Sequence, residues 1–217
     1  MSDHVAVGID VAEERKGLDL VALDADRKVV ASVGRLSVDD AVDIVLGDVR
    51  PSMVCIDSPS GWASSGRSRH SERRLREIGI TTFATGQDPG DHPFYRWMRG
   101  GFGLFDALVP PYRLYRGAEL GHTAAEVFPE ATAVLLAGRL RSADESKRVF
   151  RGRVLETHGV GLDELPNIDR IDAALAALTG VIALEGGSTW VGEPSEGVVL
   201  LPVPHLPARR LVRVAVP

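Results

Sequence analysis

Two short apolar segments of the chain each end on an aspartate, and a helical pattern separates them. "VAVGID" ends at Asp10, and "MVCID" ends at Asp57. Between them, Ser37 occupies a helix N-cap position, and apolar residues recur at helical spacing over 38–49. A strand that is reached through a helix is expected to lie parallel to an earlier strand of the same sheet. The two segments are therefore predicted to be parallel strands whose aspartates share one end of the sheet.

The remaining periodic segments complete an α/β pattern. Residues 17–36 predict two strands around a turn, which form a three-strand meander with the first segment. The later predicted elements are a strand ending near Glu126, helices from about Pro129, Ala143 and Asn167, and a hairpin over 190–202. The sequence thus predicts an α/β fold with a mixed five-stranded sheet, a meander followed by parallel strands, and helices on both faces.

Residues of about 60–125 differ from this core in composition and in periodicity. They are rich in glycine, proline and aromatic residues, and they show no sustained period apart from a short helical segment after Ser71. We interpret this stretch as an insertion, rich in arginine and aromatic residues, within a single domain that covers residues 1–217.

Composition excludes several classes of protein. The formal net charge of −5 argues against a protein that coats nucleic acid through overall basic charge, although a local basic patch is compatible with it. Cys55 is the single cysteine, so an intrachain disulfide and a cysteine zinc cluster are excluded. No apolar run reaches the roughly 18 to 20 residues of a membrane span, and residues 1–10 lack the pattern of a signal peptide. We therefore expect a cytoplasmic protein without membrane contact.

The two strand-end aspartates predict a cation site. Neighbouring strands lie about 4.8 Å apart, so the carboxylates of Asp10 and Asp57 can share one cation. Carboxylates at this separation repel each other unless a proton or a metal lies between them, and oxygen ligands suit Mg²⁺ or Mn²⁺. Each aspartate taken alone is also compatible with a turn-capping role.

Three further acids are candidates for the same site. In "NIDRIDAALAAL", Asp169 and Asp172 are three residues apart and share one helix face. Asp169 lies in the first turn, where an acid also stabilises the helix dipole, whereas Asp172 lies deeper in an apolar helix. Glu126 is predicted to end a strand, and we prefer it to Glu130, which the dipole of the following helix explains.

Basic and aromatic residues are grouped in two parts of the chain. Residues 67–76 contain five arginines, and four arginines alternate with seven aromatic residues in 94–116. Rings beside guanidinium groups are typical of a groove for single-stranded or distorted nucleic acid, but a satellite core or a dimer contact also explains the aromatic residues. A later polar helix adds two basic residues on one face, for which an ordinary solvated helix is the alternative. The predicted substrate-binding residues are Arg67, Arg73, Arg74, Lys147 and Arg151.

Four motifs resemble a known family. "IDSPSGW", "EVFPEAT", "NIDRIDAALAAL" and "GEPSEGVVLLP" are similar to segments of domain-of-unknown-function family 429, whose members are described as predicted RNase H-like nucleases. The resemblance covers about residues 5–204, and the core more remotely resembles Holliday junction resolvases. It implies an RNase H-like fold and a metal-dependent nuclease that cleaves DNA or RNA with two Mg²⁺ or Mn²⁺ ions. The residues it assigns to catalysis are Asp10, Asp57, Asp172 and Glu126, and those it assigns to the metal are Asp10, Asp57, Asp172 and Asp169.

Other functions remain open. Actin-like ATPases and sugar kinases share a meander core, but Glu13 and Glu14 after the first strand would repel a triphosphate. A non-catalytic module on the same fold, which binds nucleic acid or protein, is a further alternative. Ser58 or Ser60 is a candidate nucleophile, although the glycine that precedes the serine of a nucleophile elbow is missing.

Overall fold

The computed structural model describes residues 5–12 and 15–213. Glu13 and Glu14, which argue against an ATPase, lie outside these residues. The described strands are β1 (Ala6–Val11), β2 (Leu18–Leu23), β3 (Val29–Leu36), β4 (Met53–Asp57), β5 (Arg113–Leu114), β6 (Thr123–Glu126), β7 (Thr189–Glu193) and β8 (Gly197–Leu201). The described α-helices are α1 (Val38–Asp43), which continues into a π-helical turn (Ile44–Val49), α2 (His70–Glu77), α3 (Arg96–Leu108), which follows a 3-10 turn (Pro93–Tyr95), α4 (Pro129–Ala137), α5 (Lys147–Thr157) and α6 (Ile168–Leu184).

The strands form one mixed sheet. Its order is β3-β2-β1-β4-β6-β8-β7, and the two-residue strand β5 pairs with β6. β1 to β3 form an antiparallel meander, whereas β1 with β4, β4 with β6, and β6 with β8 pair in parallel. The predicted α/β class and RNase H-like arrangement are confirmed, and so are the five predicted core strands, β1 to β4 and β6. The predicted five-strand count is too low, because β5 and the terminal hairpin of β7 and β8 join the same sheet and bring the described strands to eight.

Successive side chains of β1 point to opposite faces of the sheet, and helices cover both faces. Val7 and Ile9 pack on one face in a core shared with α1 and α3. Gly8 points to the other face, where a Cβ would lie 1.9 Å from the carbonyl oxygen of Ala173. The alanine-rich helix α6 therefore packs directly on the strand, with α4 and α5 beside it. The prediction of helices on both faces is confirmed, and Asp10, two residues after Gly8, points to the α6 face.

One segment of the insertion is more regular than the sequence predicts. Residues 96–108 form the 13-residue helix α3, which contains three glycines and for which no sustained period was expected. Met98, Gly101 and Leu104 belong to its buried stripe. A Cβ on Gly101 would lie 1.9 Å from Oγ of Ser58, so this glycine permits close packing instead of ending the helix. The prediction was wrong because glycine weakens the local helix signal, whereas the tertiary contact requires it.

The described helices include no candidate for crossing a membrane. Within residues 5–12 and 15–213, none combines the length and the hydropathy that a bilayer crossing requires. The longest described helix, α6, has 17 residues and packs on the sheet.

Candidate active site

The carboxyl ends of β1 and β4 bring two aspartates together. Asp10 and Asp57 are register partners in this parallel strand pair, and both side chains are half-buried. Adjacent strands lie about 4.8 Å apart. A hydrogen bond between the two carboxyl groups contributes to the raised pKa of Asp10 and opposes the rise in the pKa of Asp57. The two aspartates therefore meet at one end of the sheet, as their positions in the sequence predict.

Helix α6 adds two acids to this end of the sheet. Asn167 caps the helix by accepting a hydrogen bond from the backbone N–H of Arg170 at 2.8 Å. The close packing of α6 on Gly8 then places Asp169 and Asp172 near the strand ends, where the charge of each raises the pKa of the β1 aspartate. Asp172 is buried and Asp169 is half-buried. We refer to the four residues that meet here as the aspartate cluster: Asp10, Asp57, Asp169 and Asp172.

Burial and the repulsion between acids raise the pKa values of both strand-end aspartates. Burial raises the pKa of Asp10 to about 9, and the charges of the other three acids add to this effect. Burial, followed by the charge of Asp172, raises the pKa of Asp57 to about 7, against the opposing charge of Arg151. Without a cation, the pair of strand-end aspartates therefore retains a proton at neutral pH.

Asp172 differs from the strand-end pair because two cations of α5 bind it. Nζ of Lys147 lies 3.1 Å from Oδ2 of Asp172, and Arg151 donates to the other carboxylate oxygen. Arg151 also donates to Oε2 of Glu130 at 2.7 Å, in the first turn of α4. The sequence alone had favoured a dipole role for Glu130. Its pairing with Arg151 is a tertiary contact between residues 21 positions apart, which no local pattern reveals.

Lys147 and Arg151, the two residues of α5 that are predicted substrate contacts, are thus also counterions of the cluster. The side chain of Arg151 is 4 % exposed, whereas that of Lys147 is 50 % exposed. Nε of Arg151 is buried and has no hydrogen-bond partner within the described part of the chain. Arg151 therefore retains one donor for a ligand, and Lys147 retains access to solvent.

A cavity of about 260 Å³ opens at this end of the sheet. Its charged wall is formed by Asp57, Arg69, Glu72, Glu126, Lys147 and Arg151. Phe83 and Trp97, both from the insertion, contribute an aromatic wall. The core strands, α5 and the start of α2 therefore supply charge to the cavity, and Phe83 and Trp97 supply flat apolar surface.

Glu126 ends β6 as predicted, but the structure does not bring it into the aspartate cluster. Its register partner on β4 is Ile56 and not Asp57, so its side chain leaves the opposite face of the sheet. Arg69 donates to Oε2 of Glu126 at 2.8 Å, and the backbone N–H of Ser60 donates to the same oxygen at 2.9 Å. Glu126 forms a buried ion pair that joins the start of α2 to the sheet, and it lines the same cavity as Asp57. Its catalytic role stays a prediction.

The other three predicted substrate contacts are exposed and lie outside the cavity. Arg73 donates to the carbonyl oxygen of Ser68, and Arg74 pairs with Glu77 on the surface of α2. Arg67 is exposed in the preceding loop. None of the three is among the described residues that line the cavity. Their role in substrate binding stays a prediction.

Sequence reasoning did not identify two residues that form ion pairs near the strand ends, Arg69 and Asp19. Arg69 is 2 % exposed and binds Glu72 as well as the strand-end glutamate of β6. Its three-residue spacing from Glu72 is a helix-pairing signal that the sequence offered. Asp19 lies opposite Asp10 on β2 and pairs with Arg170 of α6. No local signal reveals that second pair, because its members are 151 positions apart.

The donor chemistry of the aspartate cluster fits a divalent cation. Carboxylate oxygens are the ligands that Mg²⁺ and Mn²⁺ prefer, and burial together with the charge of neighbouring acids raises the pKa values of Asp10 and Asp57. In the part of the chain that the structure describes, no group of three or more His, Cys, Asp or Glu side chains has the spacing of a formed metal site. Lys147 and Arg151 hold the two oxygens of Asp172.

Together, the fold and the site define an RNase H-like α/β protein with an aspartate cluster at the carboxyl end of its parallel strands. The chain belongs to the DUF429 family, described as a protein of unknown function, whose family model matches residues 8–196. The family resemblance of the four sequence motifs is thereby confirmed. A solved structure of RuvC from Thermus thermophilus is similar to this chain at 17 % sequence identity and a TM-score of 0.44, over 84 % of this chain and 96 % of that one. No curated protein sequence matches the chain.

Proposed function

We propose that this protein is a Mg²⁺- or Mn²⁺-dependent phosphodiester hydrolase that acts on nucleic acid. The observation that carries the proposal is the register pairing of Asp10 with Asp57, joined by Asp169 and Asp172 from α6. These acids come from three distant segments and meet at the carboxyl end of parallel strands, where α/β sheets bind their ligands. Their mutual repulsion has to be offset by a proton or a cation.

The aspartate cluster offers the ligands that this activity needs. Asp10, Asp57 and Asp169 would hold the cation, and Asp172 would join them once its ion pairs with α5 are exchanged. A bound divalent cation supplies positive charge beside the scissile phosphate and lowers the pKa of an attacking water.

Residues around the cluster suit the binding of a phosphate group. Lys147 is half exposed beside Asp172 and presents a mobile positive charge to the cavity. Arg151 is fixed by its pairs with Asp172 and Glu130, and its Nε remains without a partner within the described residues. A guanidinium held in place beforehand stabilises charge that develops on phosphate oxygens during cleavage.

The ion pairs of Asp172 also favour a second candidate, a non-catalytic module that binds nucleic acid on the same fold. If Lys147 and Arg151 keep both oxygens of Asp172, this carboxylate is not available to a cation. The basic side chains and the cavity then serve for binding alone. This candidate predicts nucleic-acid binding that is independent of Mg²⁺.

Calorimetric titration and a cleavage panel separate the two candidates. Mg²⁺ and Mn²⁺ are titrated into the metal-free protein, which is then incubated with single-stranded, duplex and branched DNA and RNA, and with ATP. The proposed activity requires cation binding together with cleavage of a nucleic acid. Nucleic-acid binding without cation binding or cleavage selects the non-catalytic module, and turnover of ATP alone points to a phosphotransferase.

Matched aspartate variants test the assignment of the site. Asp10→Asn and Asp57→Asn should remain folded, lose cation binding and lower the cleavage rate on the order of 10³-fold or more. Asp26→Asn removes the same charge from the exposed turn between β2 and β3 and should behave as the wild type. An Asp10→Asn protein that cleaves at the wild-type rate would rule out the assignment.

A further inference from the structure

Phe83 and Trp97 line the cavity, and exposed aromatic rings contact one another at this place. Phe83 is 62 % exposed and Phe94 is 51 % exposed. The ring centroid of Phe83 lies 6.3 Å from the ring centroid of Phe94 and 6.3 Å from that of Trp97. By contrast, Tyr112, from the same insertion, is 4 % exposed and packs in the core. Rings that stay exposed in mutual contact form an apolar patch, which is typical of a binding surface. We refer to the two rings that line the cavity, Phe83 and Trp97, as the aromatic wall.

Two buried polar atoms of cavity-lining residues have no hydrogen-bond partner within the described residues. They are Nε of Arg151, in the charged wall, and Oγ1 of Thr82, next to Phe83 in the chain. Arg151 is 4 % exposed. A buried polar atom without a partner costs free energy, and native proteins satisfy such atoms with a ligand or water. An apolar side chain of a partner protein would leave both atoms unsatisfied, whereas a planar polar ligand can satisfy them.

The size of the cavity restricts this ligand further. Its volume of about 260 Å³ is just below the range of about 300–1,000 Å³ that is typical of pockets for drug-sized molecules. One flat heterocycle matches such a volume. A base inside a duplex is stacked and paired, so it reaches a pocket of this kind only when it leaves the helix.

We propose that this cavity binds one unpaired nucleobase of the substrate strand, stacked on the aromatic wall, with the adjoining phosphate directed to Lys147 and Arg151. The inference rests on the proposed function and deepens it, because it makes single-stranded or locally unpaired nucleic acid the substrate class. Every base has a π face, so stacking on Phe83 and Trp97 accepts different sequences. The hydroxyl of Thr82 adds a hydrogen bond to the base edge.

Binding in EDTA tests this inference separately from metal binding and cleavage. The affinities of the full chain for a labelled single strand and for the duplex of the same sequence are measured by fluorescence anisotropy. The single strand should bind more tightly. Phe83→Ala and Trp97→Leu should each weaken single-strand binding about five- to hundredfold. Trp190→Ala, at a 37 % exposed tryptophan of β7 outside the described cavity lining, should leave it unchanged.

Three outcomes are informative. Equal affinity for duplex and single strand overturns the inference, and so does unchanged single-strand binding by Phe83→Ala, which is the result expected if the aromatic wall docks a protein. Phe83→Ala remains decisive even if Trp97→Leu melts early, because the Phe83 ring is mostly exposed. Single-strand binding that depends on the aromatic wall, without any Mg²⁺-dependent cleavage, supports the inference while the proposed function alone fails.

Discussion

The carboxyl ends of β4 and β6 lie side by side in the sheet, yet the acids that end these strands have opposite surroundings. Asp57, on β4, lies among other acids, and burial raises its pKa to about 7. Glu126, on β6, is bound by Arg69 and Ser60. A buried carboxylate with its own cation is satisfied within the fold, whereas one without a cation needs a proton or a ligand. For this reason the proposed function places the cation at the aspartate cluster, whereas Glu126 has a counterion within the fold.

Side-chain direction and packing produce the difference. Asp57 lies on the face that α6 covers, and α6 brings further acids to it. Glu126 leaves the other face, where the start of α2 brings Arg69. The position of α2 is fixed in turn by the β7–β8 turn, because Glu196 accepts a hydrogen bond from the backbone N–H of His70 at 3.0 Å. Two acids at neighbouring strand ends thus meet different partners because different helices cover them.

The largest expected effect is a loss of stability when the buried ion pair of Glu126 is broken. Arg69→Leu removes the cation from Glu126 and Glu72 while both acids stay buried. Removing one partner of a buried ion pair costs about 3–5 kcal/mol, so the free energy of unfolding in urea should fall by about that amount. Arg74→Leu breaks an exposed pair with Glu77 and should cost less than about 1 kcal/mol. Equal losses in the two variants would contradict the structural role of Arg69.

The second expected effect is a pH dependence that arises from the aspartate cluster. A carboxyl whose pKa is raised by folding binds its proton more tightly in the folded state, so it stabilises the fold at low pH and loses that effect as pH rises through the raised value. Because folding raises the pKa of Asp57 to about 7 and that of Asp10 to about 9, the metal-free protein should lose stability as pH rises towards about 9. Urea unfolding in EDTA at several pH values measures this slope.

Matched variants sharpen the pH test. Asp10→Asn removes one titrating group, so its stability should depend less on pH in this range and exceed that of the wild type at alkaline pH. Asp26→Asn, at the exposed turn, should keep the wild-type slope. Saturating Mg²⁺ should flatten the wild-type slope by offsetting the repulsion in the cluster. An Asp10→Asn protein with the wild-type slope would show that Asp10 does not carry the effect.

The smallest expected effect concerns the ion pairs that separate Asp172 from the rest of the cluster. Lys147→Met removes the half-exposed cation from Asp172 and leaves Arg151 in place. Because Lys147 competes with a divalent cation for this carboxylate, Mg²⁺ should bind about two- to fivefold more tightly, as measured by calorimetry. Lys28→Met, at an exposed residue before β3, is the matched control. Weaker Mg²⁺ binding by Lys147→Met would mean that Lys147 supports the cation site.

Much of the core could be predicted from sequence because its signals are local. The capping box of Ser37 and Asp40 marks the start of α1, and Asn167 marks the start of α6. The apolar runs that end at Asp10 and Asp57 define β1 and β4, and the crossover rule makes them parallel. Helix α3 was not predicted because its glycines weaken the local helix signal, and one of them, Gly101, permits close packing against Ser58. The pairing of β8 with β6 is likewise not encoded by a local pattern.

Sequence by itself determined which acids stand at strand ends and on one helix face, because strand and helix periods are properties of neighbouring residues. Only the tertiary structure decided which of these acids has a counterion. Arg69 reaches Glu126 across 57 positions, and Arg151 reaches Asp172 across 21, through the packing of helices on opposite faces of the sheet. Charge compensation depends on distance in space, so it follows from how the elements pack and not from their order along the chain.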